Sequence, residues 1–538
     1  MSRRTELQRA ANEVFGWSQL RPAQLEAMEA VLAGRDVLAV MATGSGKSAI
    51  YQVPAVLIDG ATLVVSPLIA LQRDQITGLA ATNAPDAVAI NSQLDRDDIA
   101  RNWRAVRENE AEYVFLAPEQ LTNDDVVDAL AEMDISLVVV DEAHCVSAWG
   151  HDFRPSYLRI ADSIERFGDP PVVALTATAS PVVRREIVEH LRLRDPLVIA
   201  SGFDRPNIAL EVSHHVEDDD KRAAVLTRML EVARPALLYT ATRKDAETYA
   251  AQINSSGIRA RAYHAGLSRT QRDEVHRLFR AEDGVDIVVA TSAFGMGIDK
   301  ADVRSVVHAS IPESMDSYYQ QIGRAGRDGE PAAAVLFYRP EDLGLARFFT
   351  TNRPEEELLA RVYGALDRKA PKRLADLRTE LGVRGPRVTN AVNLFEEAGL
   401  AAATREGFTR CTSTGVAEAV DRVVEIVERK ERIDRSRVDM MRGYAETREC
   451  RRQFLLNYFG EALAEPCGNC DNCADGLVDG EPPATDRWAM QTPVVHREWG
   501  SGVVMGAEDD RITVLFDEYG YKTLLLESIE ESGVLIRR

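Results

Sequence analysis

Between Val31 and about Ile199, short apolar runs alternate with longer stretches in which hydrophobic positions recur at helical spacing. The runs are Val37–Met41, Ala61–Val65, Tyr113–Ala117, Leu137–Val140 and Val172–Leu175. Strands that are apolar throughout are buried on both faces, so the pattern predicts a parallel sheet covered by helices. After the acidic stretch Glu217–Asp220 a second series follows at Pro235–Tyr239, Ile258–Tyr263, Asp286–Ala290, Ser305–Ala309 and Ala332–Tyr338. The chain therefore reads as α/β, with two lobes in tandem. From Glu355 to about Val427 strand signals thin out. There Leu374, Leu377 and Leu381, then Val388, Val392 and Phe395, then Leu400 form apolar faces broken at Gly382–Pro386, as in a helix-turn-helix with a short wing. Asp434–Phe459 reads as a helical pair and Leu477–Thr485 as a linker. Val494–Arg538 reads as alternating strands with turns at Asp509-Asp510 and Tyr519-Gly520, a small β-barrel. The predicted units are residues 1–200 and 201–350 for the lobes, 351–430 for a winged-helix-like insert, 431–476 for a metal-binding module, 477–490 for a linker and 491–538 for the barrel.

Composition narrows the class. With 28% charged and 45% hydrophobic residues in 538, the chain is globular, and no run approaches the about 20 apolar residues a membrane helix needs. MSRRTELQRA is not followed by the apolar segment of a secretory signal, so a cytoplasmic, nucleoid-associated protein with no membrane contact is expected. The net charge of −21 argues against a surface that coats nucleic acid indiscriminately, so any DNA contact must be local. Arg361–Arg387 is such a place, with eight Arg/Lys against three Asp/Glu. The local reversal points to duplex DNA. A purely structural helical spacer would carry the same residues.

ATGSGKS, Ala42–Ser48, follows a predicted strand and opens a predicted helix. Thr43, Gly44, Ser45 and Gly46 can wrap backbone N–H groups around phosphate oxygens beside a helix start, Lys47 can reach the β- and γ-phosphates, and Ser48 can hold Mg²⁺. The strict pattern has Gly where Met41 stands; strand-loop-helix context carries the reading. About ninety residues on, Leu137–Val140 delivers DEAH, Asp141–His144, at the strand end where open α/β sheets bind ligands. There Asp141 would support Mg²⁺ and Glu142 would orient or deprotonate the attacking water. Arg324 and Arg327, in QIGRAGRDG, are three apart on one predicted helical face and could reach a γ-phosphate across a cleft. A solvated basic face would have the same spacing. Trp149, Phe153 and Tyr157 interleave with His151 and Arg154, as in a surface that stacks bases and holds backbone phosphates, or in aromatics that staple a loop to the lobe. Cys450, Cys467, Cys470 and Cys473 have the spacing of a closed structural Zn²⁺ site; unligated thiols or an iron–sulfur cluster are the alternatives. Cys145 and Cys411 have no metal-type neighbours and read as inert.

Eight stretches stand in the order of one family: FGWSQLRPAQ, ATGSGKS, VVSPLIALQRDQ, DEAHCVSAWGHDFRPSY, ALTATAS, AYHAGL, VVATSAFGMGIDKADVRSVVH and QIGRAGRDG. With NYFGEALAEPCGNCDNC they resemble the RecQ branch of the superfamily 2 helicases over roughly the first 340 residues and again over the Cys cluster. The resemblance implies two RecA-like lobes with ATP between them, Gln24 reading the adenine, Arg21 beside it and Asp299 near the ribose. It also implies 3′-to-5′ movement on single-stranded DNA, at single-strand/duplex junctions, in repair or recombination, with the aromatic-rich loop coupling DNA to hydrolysis. A DNA-stimulated translocase that remodels protein–DNA complexes with little unwinding would carry identical ATP motifs. The chain departs from the usual layout, in which the zinc segment directly follows the second lobe and a winged helix comes after it. The tail is similar to the Tudor-like tail of UvrD-type helicases, a partner-binding module. Its linker predicts loose tethering. Trp499, Phe516, Tyr519 and Tyr521 exceed what so small a core can hold, which predicts a solvent-facing patch for a protein partner.

Overall fold

The computed structural model describes the chain apart from residues 1, 92–93, 95, 109, 148–153, 201, 282, 296–299, 351–353, 405, 479–487 and 508–509, and the side chains of residues 96 and 348–350. Lobe 1 contains seven strands: β1 (Val37–Val40), β2 (Ala61–Val65), β3 (Asp86–Ile90), β4 (Ala111–Leu116), β5 (Ile135–Val140), β6 (Val172–Thr176) and β7 (Leu197–Ala200). They form one parallel sheet in the order β3-β4-β2-β5-β6-β1-β7. Lobe 2 contains β8 (Ile208–His214), β9 (Ala236–Tyr239), β10 (Ala260–Tyr263), β11 (Ile287–Ala290), β12 (Ser305–His308) and β13 (Ala332–Tyr338), parallel in the order β10-β11-β9-β12-β13-β8. The central strands β1, β2, β9, β11 and β12 are buried at every position, which is why each reads as an unbroken apolar run. The order places β1 and β5, and so the GSGKS loop and the DEAH segment, close together at one sheet end with only β6 between them.

Beyond lobe 2, helices Glu356–Ala365, Leu374–Leu381 and Arg387–Glu397 precede a hairpin of β14 (Ala401–Thr404) and β15 (Gly407–Arg410). Leu377, Val388, Val392, Phe395 and Leu400 share one small core with Val420, Val423 and Val427. Those valines lie on a single 31-residue helix, Val416–Glu446, where the helical pair was expected to start only at Asp434; a separate helix Arg451–Tyr458 follows.

The C-terminal segment forms an antiparallel sheet of β16 (Pro493–His496), β17 (Gly500–Ala507), β18 (Arg511–Phe516), β19 (Gly520–Leu525) and β20 (Leu535–Arg537), in the order β19-β18-β17-β16-β20. Trp488 lies in its core. The expectation of a loosely tethered tail is overturned. Met505, Leu515 and Tyr521 are buried in the same hydrophobic cluster as the lobes, and Gln491 Nε2 donates to the Gly460 carbonyl at 2.9 Å. Of the four aromatics expected to crowd outward, Phe516 is fully buried inside the sheet, Tyr521 is buried by docking, and Trp499 and Tyr519 are half-buried. Trp499 stacks on His496 at 4.0 Å and Tyr519 lies under Arg432 at 5.7 Å. The main chain alone could not indicate this, because the surface that accepts the tail comes from distant parts of the sequence. Among the described residues no helix is long and apolar enough to cross a membrane.

Candidate active site at the seam of the two lobes

The GSGKS loop leaves β1 and turns twice through left-handed backbone, at Gly44 (φ 81°) and Gly46 (φ 78°), conformations that favour glycine. Lys47 Nζ donates to the Met41 carbonyl at 2.8 Å and the Ala42 carbonyl at 3.4 Å, inside the loop it would open around a phosphate. The Ser45 hydroxyl is buried without a hydrogen-bond partner, the polar gap an anionic oxygen would fill. Gln24 Nε2 donates to the Ser45 and Gly46 carbonyls at 3.1 and 2.9 Å, and the Arg21 amide donates to Gln24 Oε1 at 2.8 Å, so both residues lie against the loop. Ser48 Oγ accepts from Gln75 Nε2 at 3.2 Å.

Asp141 and Glu142 follow β5. The Ser66 hydroxyl donates to Asp141 Oδ2 at 3.3 Å, and Glu142 Oε2 lies 3.3 Å from His144 Nδ1. Glu142 itself has φ 48°, left-handed backbone in a non-glycine residue, held by the packing around it. Burial lifts the Asp141 carboxyl to about 7, and the Glu142 charge adds to the rise against Lys47, the Glu142 amide and Ser66. Burial acts on Glu142 in the same direction, but the hydrogen bond and charge of His144, with Lys47 and Arg324, outweigh it and hold Glu142 below the usual carboxylate range. Burial also draws the Lys47 ammonium down, against the pull of Glu142 and Asp141. The neighbouring carboxyls thus diverge, one readily protonated and one kept ionised. His144 Nδ1 meets Thr176 Oγ1 at 2.9 Å, and Thr176 Oγ1 donates to the Thr178 carbonyl at 3.0 Å, tying the pair to the ALTATAS stretch.

Lobe 2 closes the site. Arg327 packs its side chain over Gly44, 3.4 Å from where a Cβ would stand, and Arg324, 4% exposed, lies within charge range of Glu142. The expected helical face is corrected here. Helix Met315–Ile322 ends before either arginine, and both stand on the turn that follows, which bends through Gly326 at φ 55°. Arg205 holds that turn, donating to the carbonyls of Gly323, Ala325 and Gly326 at 3.1, 2.7 and 2.9 Å, and Asn207 Nδ2 donates to Gly326 O at 2.8 Å. Sequence reasoning assigned no role to Arg205, Asn207, Ser66, Gln75 or Thr176. Ser66, Gln75 and Thr176 lie inside matched motifs, and polar FDRPN at the lobe junction was the remaining signal.

Trp149, His151, Phe153 and Asp299 lie outside the described residues. Arg154 lies within them: its amide donates to the Cys145 carbonyl at 2.9 Å and Nη1 to Pro67 O at 3.2 Å, while the Tyr157 hydroxyl donates to the Asp141 carbonyl at 2.9 Å. The described end of the aromatic-rich stretch is therefore anchored on and beside the DEAH segment. Lobe 2 has a cleft of about 860 Å³ at the carboxyl ends of β9, β11 and β12, lined by Thr240, Thr242, Arg243, Lys244, Thr291 and Ser292 among others.

The sulfurs of Cys450, Cys467, Cys470 and Cys473 all lie within 4.8 Å of one another. Sulfurs around a tetrahedral Zn²⁺ with Zn–S of about 2.3 Å stand about 3.8 Å apart, so the set fits that ion. The cluster is tied to lobe 2: Cys470 bridges to Leu210 of edge strand β8, the Val212 amide donates to Asp471 at 2.9 Å, and Arg452 Nη1 donates to Asp204 at 2.9 Å.

Two parallel-sheet lobes that join a phosphate loop and a carboxylate pair to arginines across a seam define the fold class of the helicases. The comparisons with known proteins agree. The DEAD/DEAH box helicase domain matches residues 21–186, the helicase conserved C-terminal domain residues 221–329 and the RecQ zinc-binding domain residues 417–474. The ATP-dependent DNA helicase RecQ of Pasteurella multocida is 34% identical over 476 residues, 87% of this chain and 63% of that protein. RecS of Bacillus subtilis, named a probable ATP-dependent DNA helicase, is 32% identical over 88% of this chain and 93% of its own length. The chain belongs to the RecQ family of helicases. It spans less than two thirds of the length of the RecQ proteins of Pasteurella multocida and Haemophilus influenzae. The helicase MrfA bound to DNA shares the fold at TM-score 0.53 and 18% identity, over 78% of this chain and 64% of that one.

Proposed function

We propose that the protein is an ATP-dependent 3′-to-5′ DNA helicase acting on single-stranded DNA and its junctions with duplex, in repair or recombination, in the nucleoid-containing cytoplasm. The observation that carries this is the meeting of Lys47, Asp141 and Glu142 from one lobe with Arg324 and Arg327 from the other. With ATP as substrate, Lys47 exchanges the Met41 and Ala42 carbonyls for phosphate oxygens, and Gln24 exchanges the loop carbonyls for the adenine edge. Ser48 and Asp141 would hold Mg²⁺, which would supply neutralising charge to the phosphates; Asp299 belongs to the ribose side. Glu142, kept ionised by His144, takes the proton of the attacking water, and Arg324 and Arg327 stabilise the charge that spreads over the transferred phosphoryl group.

Single-stranded DNA runs across the aromatic-rich loop, with Trp149, His151, Phe153 and Arg154 as contacts, and along the lobe 2 cleft, where Arg243 and Lys244 suit a phosphate backbone. The anchoring of Arg154 and Tyr157 on the DEAH segment supports coupling between that loop and Asp141. The helices and hairpin between residues 356 and 410 act as a winged helix for duplex, with exposed Arg368, Lys369, Arg373 and Arg384 as backbone contacts. The four cysteines hold Zn²⁺. The C-terminal sheet is a Tudor/SH3-like barrel, a reading supported by helix Leu526–Ser532, which connects its two outer strands; exposed Leu525 and Ile536 on those strands suit a protein partner.

The test is ATP hydrolysis and strand displacement with 3′-tailed, 5′-tailed and blunt DNA beside matched RNA, for wild type, Lys47→Ala and Glu142→Gln. We expect preference for 3′-tailed DNA and a loss on the order of 10²-fold in turnover in each variant. Wild-type hydrolysis in either variant defeats the site assignment; hydrolysis without strand displacement assigns the translocase activity instead.

A further inference from the structure

Tyr521 of β19 is 5% exposed, and it is buried where the C-terminal sheet meets the motor. Its ring stacks on Tyr458 of helix Arg451–Tyr458, with centroids 5.2 Å apart and planes at 26°, and its hydroxyl, raised in pKa by burial, faces Tyr458 and Ser180, both of which favour its ionised form. Ser180 closes the ALTATAS stretch of lobe 1. It occupies the cap position of helix Pro181–His190, yet its hydroxyl makes no capping bond, which leaves it to face Tyr521. On the other side the Tyr458 hydroxyl donates to Asp316 Oδ2, and buried Arg437 lies 3.9 Å from the same oxygen. Asp316 is in the first turn of helix Met315–Ile322, whose far end runs into the turn bearing Arg324 and Arg327. The turn before Tyr521 is pressed onto the long helix: Gly520 has φ 78°, and a Cβ there would overlap the Ser436 side chain. By contrast, Arg280–Asp74, a polar link between the lobes at 2.8 Å, is about two-fifths exposed on both sides and contributes little.

We infer that Tyr521 is a positioning residue for ATP hydrolysis. The C-terminal sheet uses it to key Ser180 of lobe 1 to the Tyr458–Asp316 pair that fixes the root of the helix leading into the arginine turn, which makes the tail part of the motor. The inference rests on the assignment of Arg324 and Arg327 to hydrolysis. None of Tyr521, Tyr458, Ser180 and Asp316 bonds to the phosphate loop, so loss of the contact misaligns the arginines without disturbing that loop: turnover should fall while ATP binding holds.

The experiment measures kcat and KM for ATP on the full chain with a saturating single-stranded oligonucleotide, alongside zinc content. Tyr521→Ala should lower kcat at least tenfold, leave KM within twofold and retain one zinc per chain. Tyr521→Phe keeps the stacked ring and should restore at least a third of wild-type kcat. Ser180→Ala should match Tyr521→Phe, and the double variant should be no worse than either, since both remove one contact. Wild-type kcat in Tyr521→Ala overturns the inference and leaves the helicase reading intact. Should Tyr521→Ala fail to fold, the Ser180→Ala/Tyr521→Phe pair decides, and additive losses overturn it. Absence of DNA-stimulated hydrolysis in the wild type overturns the helicase reading, and the inference with it.

Discussion

Arg205 offers a sharp probe of how lobe 2 aims its arginines. Its guanidinium donates to three carbonyls of the turn that carries Arg324 and Arg327, at 3.1, 2.7 and 2.9 Å. Arg205→Ala removes all three bonds and touches neither the phosphate loop nor the carboxylates. A half-buried donor contributes about 1 kcal/mol net per bond, or about 3 kcal/mol in total. Part of the restraint survives, because Asn207 still donates to the Gly326 carbonyl at 2.8 Å and the Gly326 amide to Val303 O at 2.8 Å. The difference is about 2 kcal/mol in the alignment of the turn, which at 1.36 kcal/mol per decade is a fall of roughly 30-fold in kcat. KM for ATP should change less than threefold. Arg205→Lys should be intermediate, since one ammonium can satisfy a single carbonyl but not span the fork. In an Arg327→Ala background the further loss should be much smaller, because both changes disable one unit. Steady-state hydrolysis at saturating single-stranded DNA reads wild type, the three single variants and the double variant. A folded Arg205→Ala enzyme with kcat within twofold of wild type would refute the idea that this clamp sets the arginines.

Two further outcomes follow from buried chemistry elsewhere. Cys467→Ser should release the single zinc ion per chain, measured by metal analysis, and lower solubility, because Zn²⁺ binding and folding of such a module are one equilibrium; full zinc retention would contradict the four-sulfur site. Glu112, whose carboxyl burial lifts to about 7 against the hydrogen bond from Thr62, binds a proton more tightly folded than unfolded. Its stabilising effect is complete below about pH 4.5 and is lost as pH rises through 7, so melting curves from pH 5 to 8 should decline less steeply in Glu112→Gln; parallel curves would rule it out as a contributor.

The most legible strands of the fold were those with no exposed face. The central strands β1, β2, β9, β11 and β12 are buried at every position and stand out as apolar runs. The strands that periodicity passed over, β3, β7 and β8, all lie at sheet edges, where partial exposure breaks the run: β8 alternates buried and half-buried positions, and the first four residues of β3 are exposed or half-buried. The same logic governs the site. Lys47, Asp141 and Glu142 are readable because the chemistry dictates residue type and spacing within one motif. Arg205, Asn207 and Ser180 act on main-chain carbonyls or a distant side chain, an arrangement that leaves no local pattern. The tail's docking was illegible for a related reason, since Tyr521 looks like a surplus aromatic until Tyr458, some sixty residues earlier in the chain, is brought beneath it.

The unusual order of modules finds its physical sense in the helix Val416–Glu446. At about 1.5 Å per residue its 31 residues span about 46 Å, long enough to serve several units along one rigid axis. Its first turns complete the core of the insert through Val420, Val423 and Val427. Its middle receives the tail at Ser436, and its end supplies the Tyr444 and Ala445 carbonyls that accept from Arg451 Nη1 at 2.9 and 3.3 Å, beside the zinc ligand Cys450. A module that precedes the zinc segment in the chain is therefore connected to it through continuous helix rather than through a flexible linker. Arg159 of lobe 1 reaches Glu396 of the insert, and Arg437 of the long helix faces Asp316 at the root of the helix that leads into the arginine turn. These contacts tie the insert, through stiff elements, to lobe 1 and to the helix that leads into the arginine turn. The long helix gives mechanical continuity between the insert and the elements around the arginine turn, whichever module comes first in the sequence.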